Sequence, residues 1–149
     1  MSKYTQSGKV KLSGFTLIEI LVVVALIAIL AAITIIAINP ARNFADARNT
    51  QRSSDVTQIL NAITQYTSEQ GNSLSDLGTI PLCSATPVEI GTDVGNLDLT
   101  ASLVPTYVVA IPKDPSGGTD GATDYTVCQT AASGGRVRVA APAAENGKT

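Results

Sequence analysis

The chain has 149 residues, is 44% hydrophobic and carries a formal net charge of −2. It contains no histidine, which excludes a Ser-His-Asp triad, a Cys-His pair and most transition-metal sites. Lys3, Lys9 and Lys11 precede residue 15 without any acid, while the remainder holds seven basic and twelve acidic side chains, a balance that argues against nucleic-acid binding through overall charge.

The apolar content is concentrated in one place. Residues 15–38 hold 21 hydrophobic side chains in 24 positions, interrupted only by Thr16, Glu19 and Thr34. Outside that run 45 of 125 residues are hydrophobic, too few for a large core, so the composition does not suit a conventional soluble enzyme. As a helix the run extends roughly 36 Å at about 1.5 Å per residue, enough to cross a bilayer. It is apolar on every face, so it is no surface amphipathic helix. A cleavable secretory signal has an apolar core of about 7–15 residues and a small-x-small site just after it. Here the core is longer, and Ala45-Asp46-Ala47 lies well past it. Three basic residues precede the span and three follow it closely (Arg42, Arg48, Arg52), so the positive-inside rule is tied.

Glu19 is costly in such a helix, by about 2.5–3.5 kcal/mol at the centre and less near the interface. It reads either as a residue at the headgroups or as a group with a partner elsewhere. Gly14-Phe15-Thr16-Leu17-Ile18-Glu19, behind a short basic leader and ahead of an unbroken apolar helix, resembles the type IV prepilin processing site. The resemblance is close over this N-terminal segment and looser over the rest. It implies that a dedicated membrane peptidase cuts between Gly14 and Phe15 and that Phe15 becomes N-methylphenylalanine. A glycine at the cut gives a protease close access to backbone. The new amine would lie one helical turn from Glu19. In a bundle of such helices the amine of one subunit can meet the carboxylate of a neighbour, offsetting a desolvation cost that neither group meets alone.

The resemblance implies a structural subunit rather than an enzyme, with no cofactor, that polymerises with other pilin subunits into an extracellular filament. Its implied partners are the prepilin peptidase, an inner-membrane assembly platform with a cytoplasmic ATPase, and the membrane itself. DNA as a partner is unsupported. The implied location is the inner membrane, with the C-terminal domain outside, before assembly into the filament. Two alternatives stand beside this reading: a pseudopilin of a type II secretion system, and a bitopic membrane protein with an extracytoplasmic binding domain.

Asn39-Pro40 punctuates the apolar run. Either Asn39 caps a new helix with Pro40 at its first position, or one long helix kinks at Pro40. The long first helix of pilins favours the kink. Beyond it Val56, Ile59, Leu60, Ile63 and Tyr66 recur at 3–4 residue spacing, an amphipathic helix with Gly71 as its C-terminal cap. The polar stretch from Ala41 to Asp55 reads as solvated helix surface, or as inter-subunit salt bridging in a fibre. Residues 71–106 are rich in Gly, Ser, Thr, Pro and Asp and read as loop, with a helical turn near Leu97 to Leu103. Leu103 to Tyr107 and Ile111 to Pro115 resemble a segment of major pseudopilins and short bacterial pilins. Ser116 stands where a tryptophan often follows the Asp-Pro pair.

Residues 125–129 and 136–140 read as two strands around a turn at Ser133-Gly134-Gly135. Alternation turns Val137 and Val139 toward the helix and Arg136 and Arg138 outward, where they decorate the strand or contact an anionic surface. Asp114, Asp120 and Asp124 lie in a Gly-rich turn. Some pseudopilins bind calcium in a C-terminal loop, but this spacing fits no EF-hand, so ordinary turn chemistry without a metal is expected. Cys83 and Cys128 are not spaced as Cys-x-x-Cys, which argues against a thioredoxin-like role. They are separate buried thiols or a disulfide; an exported small domain more often has the disulfide, and pilins commonly carry one.

The expected fold is α+β, a long N-terminal helix whose second half packs on a small antiparallel sheet. Residues 1–14 form a leader removed on processing, and 15–38 the transmembrane and assembly helix. Residues 39–70 form the amphipathic second half of that helix, and 71–149 the loop and sheet.

Overall fold

A computed structural model describes residues 14–132 and 135–148, in which long helices come first and a small sheet last. The leader ahead of Gly14, and Ser133 and Gly134 of the expected turn, lie outside the described residues. The chain divides into two compact units, Met1–Pro40 and Ala41–Thr149.

The first unit contains α1 (Leu17–Ile38), none of whose residues is buried. Among the described residues it is the one helix long and apolar enough to cross a membrane. Thr34 breaks the apolar surface least, because its hydroxyl donates to the Leu30 carbonyl at 2.8 Å. The helix ends at Asn39, which takes the left-handed conformation with φ 45°. Asparagine enters that region more readily than other residues carrying a Cβ.

Pro40 then opens α2 (Pro40–Ser68). The expected kink inside one continuous helix is therefore corrected: two helices meet at Asn39, with Pro40 at the first position of the second. A proline there loses no intrahelical hydrogen bond, and its fixed φ suits a helix start. At the other end α2 stops at Ser68 and the chain turns through Gly71 at φ 99°.

Within the second unit the expected apolar face is present. Ile59, Ala62 and Ile63 are buried, with Val56, Leu60 and Tyr66 packed at the margin. They meet a three-stranded antiparallel sheet in the order β1-β2-β3, formed by Val88–Glu89, Thr126–Gln129 and Val137–Ala140. Val127 pairs with Val88 on one side and Val139 on the other, which sets three valines in a row against the helix. Arg136 and Arg138 are exposed, as the alternation requires.

The segment between helix and sheet is more ordered than its composition implies. It contains a 3-10 turn (Leu74–Leu77), the short strand β1 and the helical turn α3 (Thr100–Leu103). Leu77, Ile80, Ile90, Leu97, Leu99 and Leu103 close the core, and Tyr66 meets Tyr107 edge-on with centroids 5.6 Å apart.

Cys83 and Cys128 form a disulfide. Cys128 lies on the sheet face opposite Val127, so the bond fastens the long connection to the side of the sheet that the helix leaves uncovered. The same connection is tied to β2 by Cys83 N–H donating to the Gln129 carbonyl at 2.9 Å. Cross-linking residues 45 apart restricts the unfolded chain by about 4 kcal/mol in the loop-entropy account. We expect Cys128→Ser to lower the melting temperature of the second unit by 10 °C or more, at about 4–8 °C per kcal/mol for a domain of this size. Circular dichroism melts of the two proteins measure it.

Candidate functional site

Two constellations carry the chemistry, one at the start of α1 and one along the first half of α2. At the first, Gly14 and Phe15 are exposed. A side chain built at Gly14 would meet nothing within 4 Å, so the fold itself makes no demand for glycine there. Thr16 caps α1, and its hydroxyl accepts from the Glu19 amide at 3.3 Å. Glu19 reaches back, one carboxylate oxygen accepting from the Thr16 amide at 2.7 Å and from the Thr16 hydroxyl at 2.8 Å. This reciprocal capping box satisfies two groups that a helix start leaves without partners. Sequence reasoning missed the role of Thr16, although Thr-x-x-Glu ahead of an apolar run is its signature.

Residues 11–38, which include all of these side chains, match a family model described as the prokaryotic N-terminal methylation motif. The chain carries the prepilin motif. That motif is the hallmark of type IV pilin and pseudopilin precursors, and its presence makes the resemblance read from Gly14 to Glu19 a finding. Comparison with curated proteins and with solved structures yields no match. The α+β arrangement behind the motif, a long apolar helix followed by a small antiparallel sheet, is pilin-like.

The second constellation was hidden in the polar stretch of α2. Arg52, Asn49 and Asp55 are buried rather than solvated, and their partners lie within the chain. Arg52 uses all five of its N–H donors. Nε and one Nη2 proton hold the Asp114 carboxylate at 2.5 and 3.0 Å, the other Nη2 proton reaches the Ser116 hydroxyl at 2.7 Å, and Nη1 serves Asn49 and Glu145 at 3.0 and 2.9 Å. Three residues further along the helix, Asp55 accepts from the buried Tyr125 hydroxyl at 2.8 Å.

Glu145, in the C-terminal tail, completes the cluster. Its carboxylate is gripped by Arg48 at 2.5 and 2.7 Å, and its backbone exchanges two hydrogen bonds with the Asn49 amide group. Asn146 and Lys148 add contacts to Asp46 at 3.2 and 3.4 Å. The tail is thereby clasped along α2. For Arg48, Arg52 and Asp55 this replaces both expectations, solvated surface and inter-subunit pairing, with an intramolecular network.

In the acidic turn Asp114 holds Arg52 and Asp120 pairs with Lys113 at 3.0 Å, while at Asp124 it is the backbone amide that bonds, donating to the Glu89 carboxylate at 3.0 Å. Among the described residues no group of three potential ligands gathers around a metal position.

The clasp makes stability depend on acid. Hydrogen bonds from Arg48, then Arg52, depress the Glu145 carboxyl to about 2, and Arg52 likewise holds Asp114 below the usual carboxylate range. A carboxyl depressed on folding contributes stability above its unfolded value and loses it as pH falls through the folded one. For Glu145 the window runs from its ordinary 4.5 down to about 2. We expect the melting temperature to hold above that window and fall within it. Glu145→Gln should melt lower at pH 6 and show a shallower decline between pH 4.5 and 2, read from thermal melts across the range.

Proposed function

We propose that the chain is cut between Gly14 and Phe15, N-methylated at Phe15, and polymerised through α1 into an extracellular pilus filament. The observation that carries the reading is the methylation motif at residues 11–38, on a helix with no buried residue of its own. A helix apolar all round is stable only in lipid or among other such helices, and a filament core supplies the second environment. The open surroundings of Gly14 support a demand set by a processing enzyme, since nothing in the fold excludes a side chain there. In this reading residues 15–38 anchor the precursor in the inner membrane with the C-terminal unit outside. A prepilin peptidase and an ATPase-driven assembly platform are its partners, and Glu19 pairs with the Phe15 amine of a neighbouring subunit.

Between a pilus and a type II secretion pseudopilus, the Cys83–Cys128 disulfide and Ser116 at the usual tryptophan position favour the pilus. Gly14→Arg tests the processing step, because it puts bulk and charge at the cut while leaving the fold's own contacts intact. We expect an uncut, unmethylated precursor retained in the membrane, identified by mass spectrometry of the N-terminus. Mature N-methylated Phe15 from that variant would refute the assignment of the cut site, and a wild-type chain that keeps residues 1–14 would indicate a plain membrane anchor.

A further inference from the structure

We propose that the turn tip Asp93–Asn96 of one copy docks into the groove between α2 and β3 of the next, joining the folded units head to tail. The proposal rests on the reading of the chain as a polymerising subunit and names a contact that α1 does not supply.

The tip is built for presentation. The Asn96 amide donates to the Asp93 carbonyl at 3.0 Å, and Gly95 at φ 98° occupies the third position of the turn, where a left-handed residue is required. The amides of Thr92 and Asp93 donate to the carbonyls of Asp120 and Gly121, both at 3.0 Å, and the Asn96 side chain reaches Gly121 at 2.9 Å. On this fixed turn Val94 is fully exposed, at 106% the highest of the large hydrophobic side chains described. Beside it Asp93 is exposed, and its carboxylate, which lies against Gly121, has no ion pair or hydrogen bond among the described residues. A rigid apolar tip with a free charge loses little conformational freedom on docking.

The groove offers the complement. It encloses about 640 Å³ within the second unit, with Val56, Val139, Ala141 and Pro142 among its apolar lining and Arg138 and Lys148 among its cations. Arg138 is exposed and, like Asp93, has no partner among the described residues. Topology decides whose tip can enter. The tip lies beyond the end of β1, bonded to Asp120 and Gly121 ahead of β2, whereas the groove is lined by α2 and β3, so tip and groove are different patches of the second unit. The contact therefore joins different patches on two copies. Such a heterologous contact repeats without closing unless its rotation happens to complete a ring, and a run of weak contacts gains strength when α1 already tethers the copies.

The test uses two full-length copies with different tags, co-produced with the peptidase and assembly platform. One carries Val94→Cys and the other Thr57→Cys, at the groove wall. Mild oxidation should give a mixed dimer whose 94–57 linkage is mapped by mass spectrometry. Arg138→Glu in the groove copy should cut its yield at least about tenfold, and Asp93→Arg in the tip copy should restore it. Tip-to-tip or groove-to-groove products, no mixed dimer, or indifference to charge reversal overturns the proposal. The same preparations are scored for N-methylated Phe15 and sheared filaments. Filaments without the mixed dimer remove the docking contact and leave the subunit reading standing, whereas unprocessed protein removes that reading.

Discussion

Arg52→Ala should destabilise the second unit by about 3–5 kcal/mol, the usual cost of removing one partner from a buried ion pair. The Arg52 and Asp114 side chains are only 3% and 0% exposed, so the orphaned Asp114 carboxylate loses its guanidinium donors at a site poorly hydrated in the native fold. It keeps the Ser116 amide at 2.8 Å, which is too little for a charge that was held by a guanidinium fork. Glu145 retains Arg48 at its partly exposed site, so the tail loosens without detaching. Replacing Arg52 and Asp114 together by apolar residues of similar volume should recover most of the loss, since the pair then disappears without leaving a charge behind. Denaturant melts of the single and double variants form the cycle that measures the coupling. A single-variant loss below 1 kcal/mol would mean that the cluster is more solvated than its burial implies.

This network marks the limit of what the sequence displays. Hydrophobic periodicity located the buried face of α2 at Ile59 and Ile63, because apolar side chains at 3–4 residue spacing have no other place to go. The buried stripe runs further, through Ala45, Asn49, Arg52 and Asp55, at the same spacing. Three of the four, Asn49, Arg52 and Asp55, are polar, and a polar residue enters a core only when a partner meets it there. The partners are Asp114, Tyr125 and Glu145, separated from them by 62 to 96 positions. Nothing local announces such a match. Strand β1 escaped for another reason, since two residues are too few to show an alternation. The N-terminal motif was legible because it lies within six consecutive residues, Gly14 to Glu19, and the run that follows is apolar by composition alone, although the Thr16–Glu19 capping box inside it was missed.

Glu19→Gln should give a processed, membrane-inserted subunit that fails to enter filaments as the sole copy. Three effects compete, and they separate cleanly. The helix start should survive, because a glutamine oxygen at position 19 still accepts from the Thr16 amide and a capping box takes glutamine as well as glutamate. Insertion should survive, since removing a charge makes the span more apolar. Cleavage should survive too, because Gly14 and Phe15 are unchanged. Under the proposed pairing, what is lost is the counter-ion for the positive Phe15 amine of the neighbouring subunit in an apolar bundle. Breaking one side of such a pair typically costs about 3–5 kcal/mol, and a filament repeats the loss at every subunit. Mixing the variant with wild-type copies should restore partial assembly, because the defect is local to each variant interface. The measurements are the N-terminal mass, the membrane fraction and the yield of sheared filaments. Normal filament yield from the variant alone would show that Glu19 is only a capping residue of α1 and that assembly is driven by apolar contact between helices.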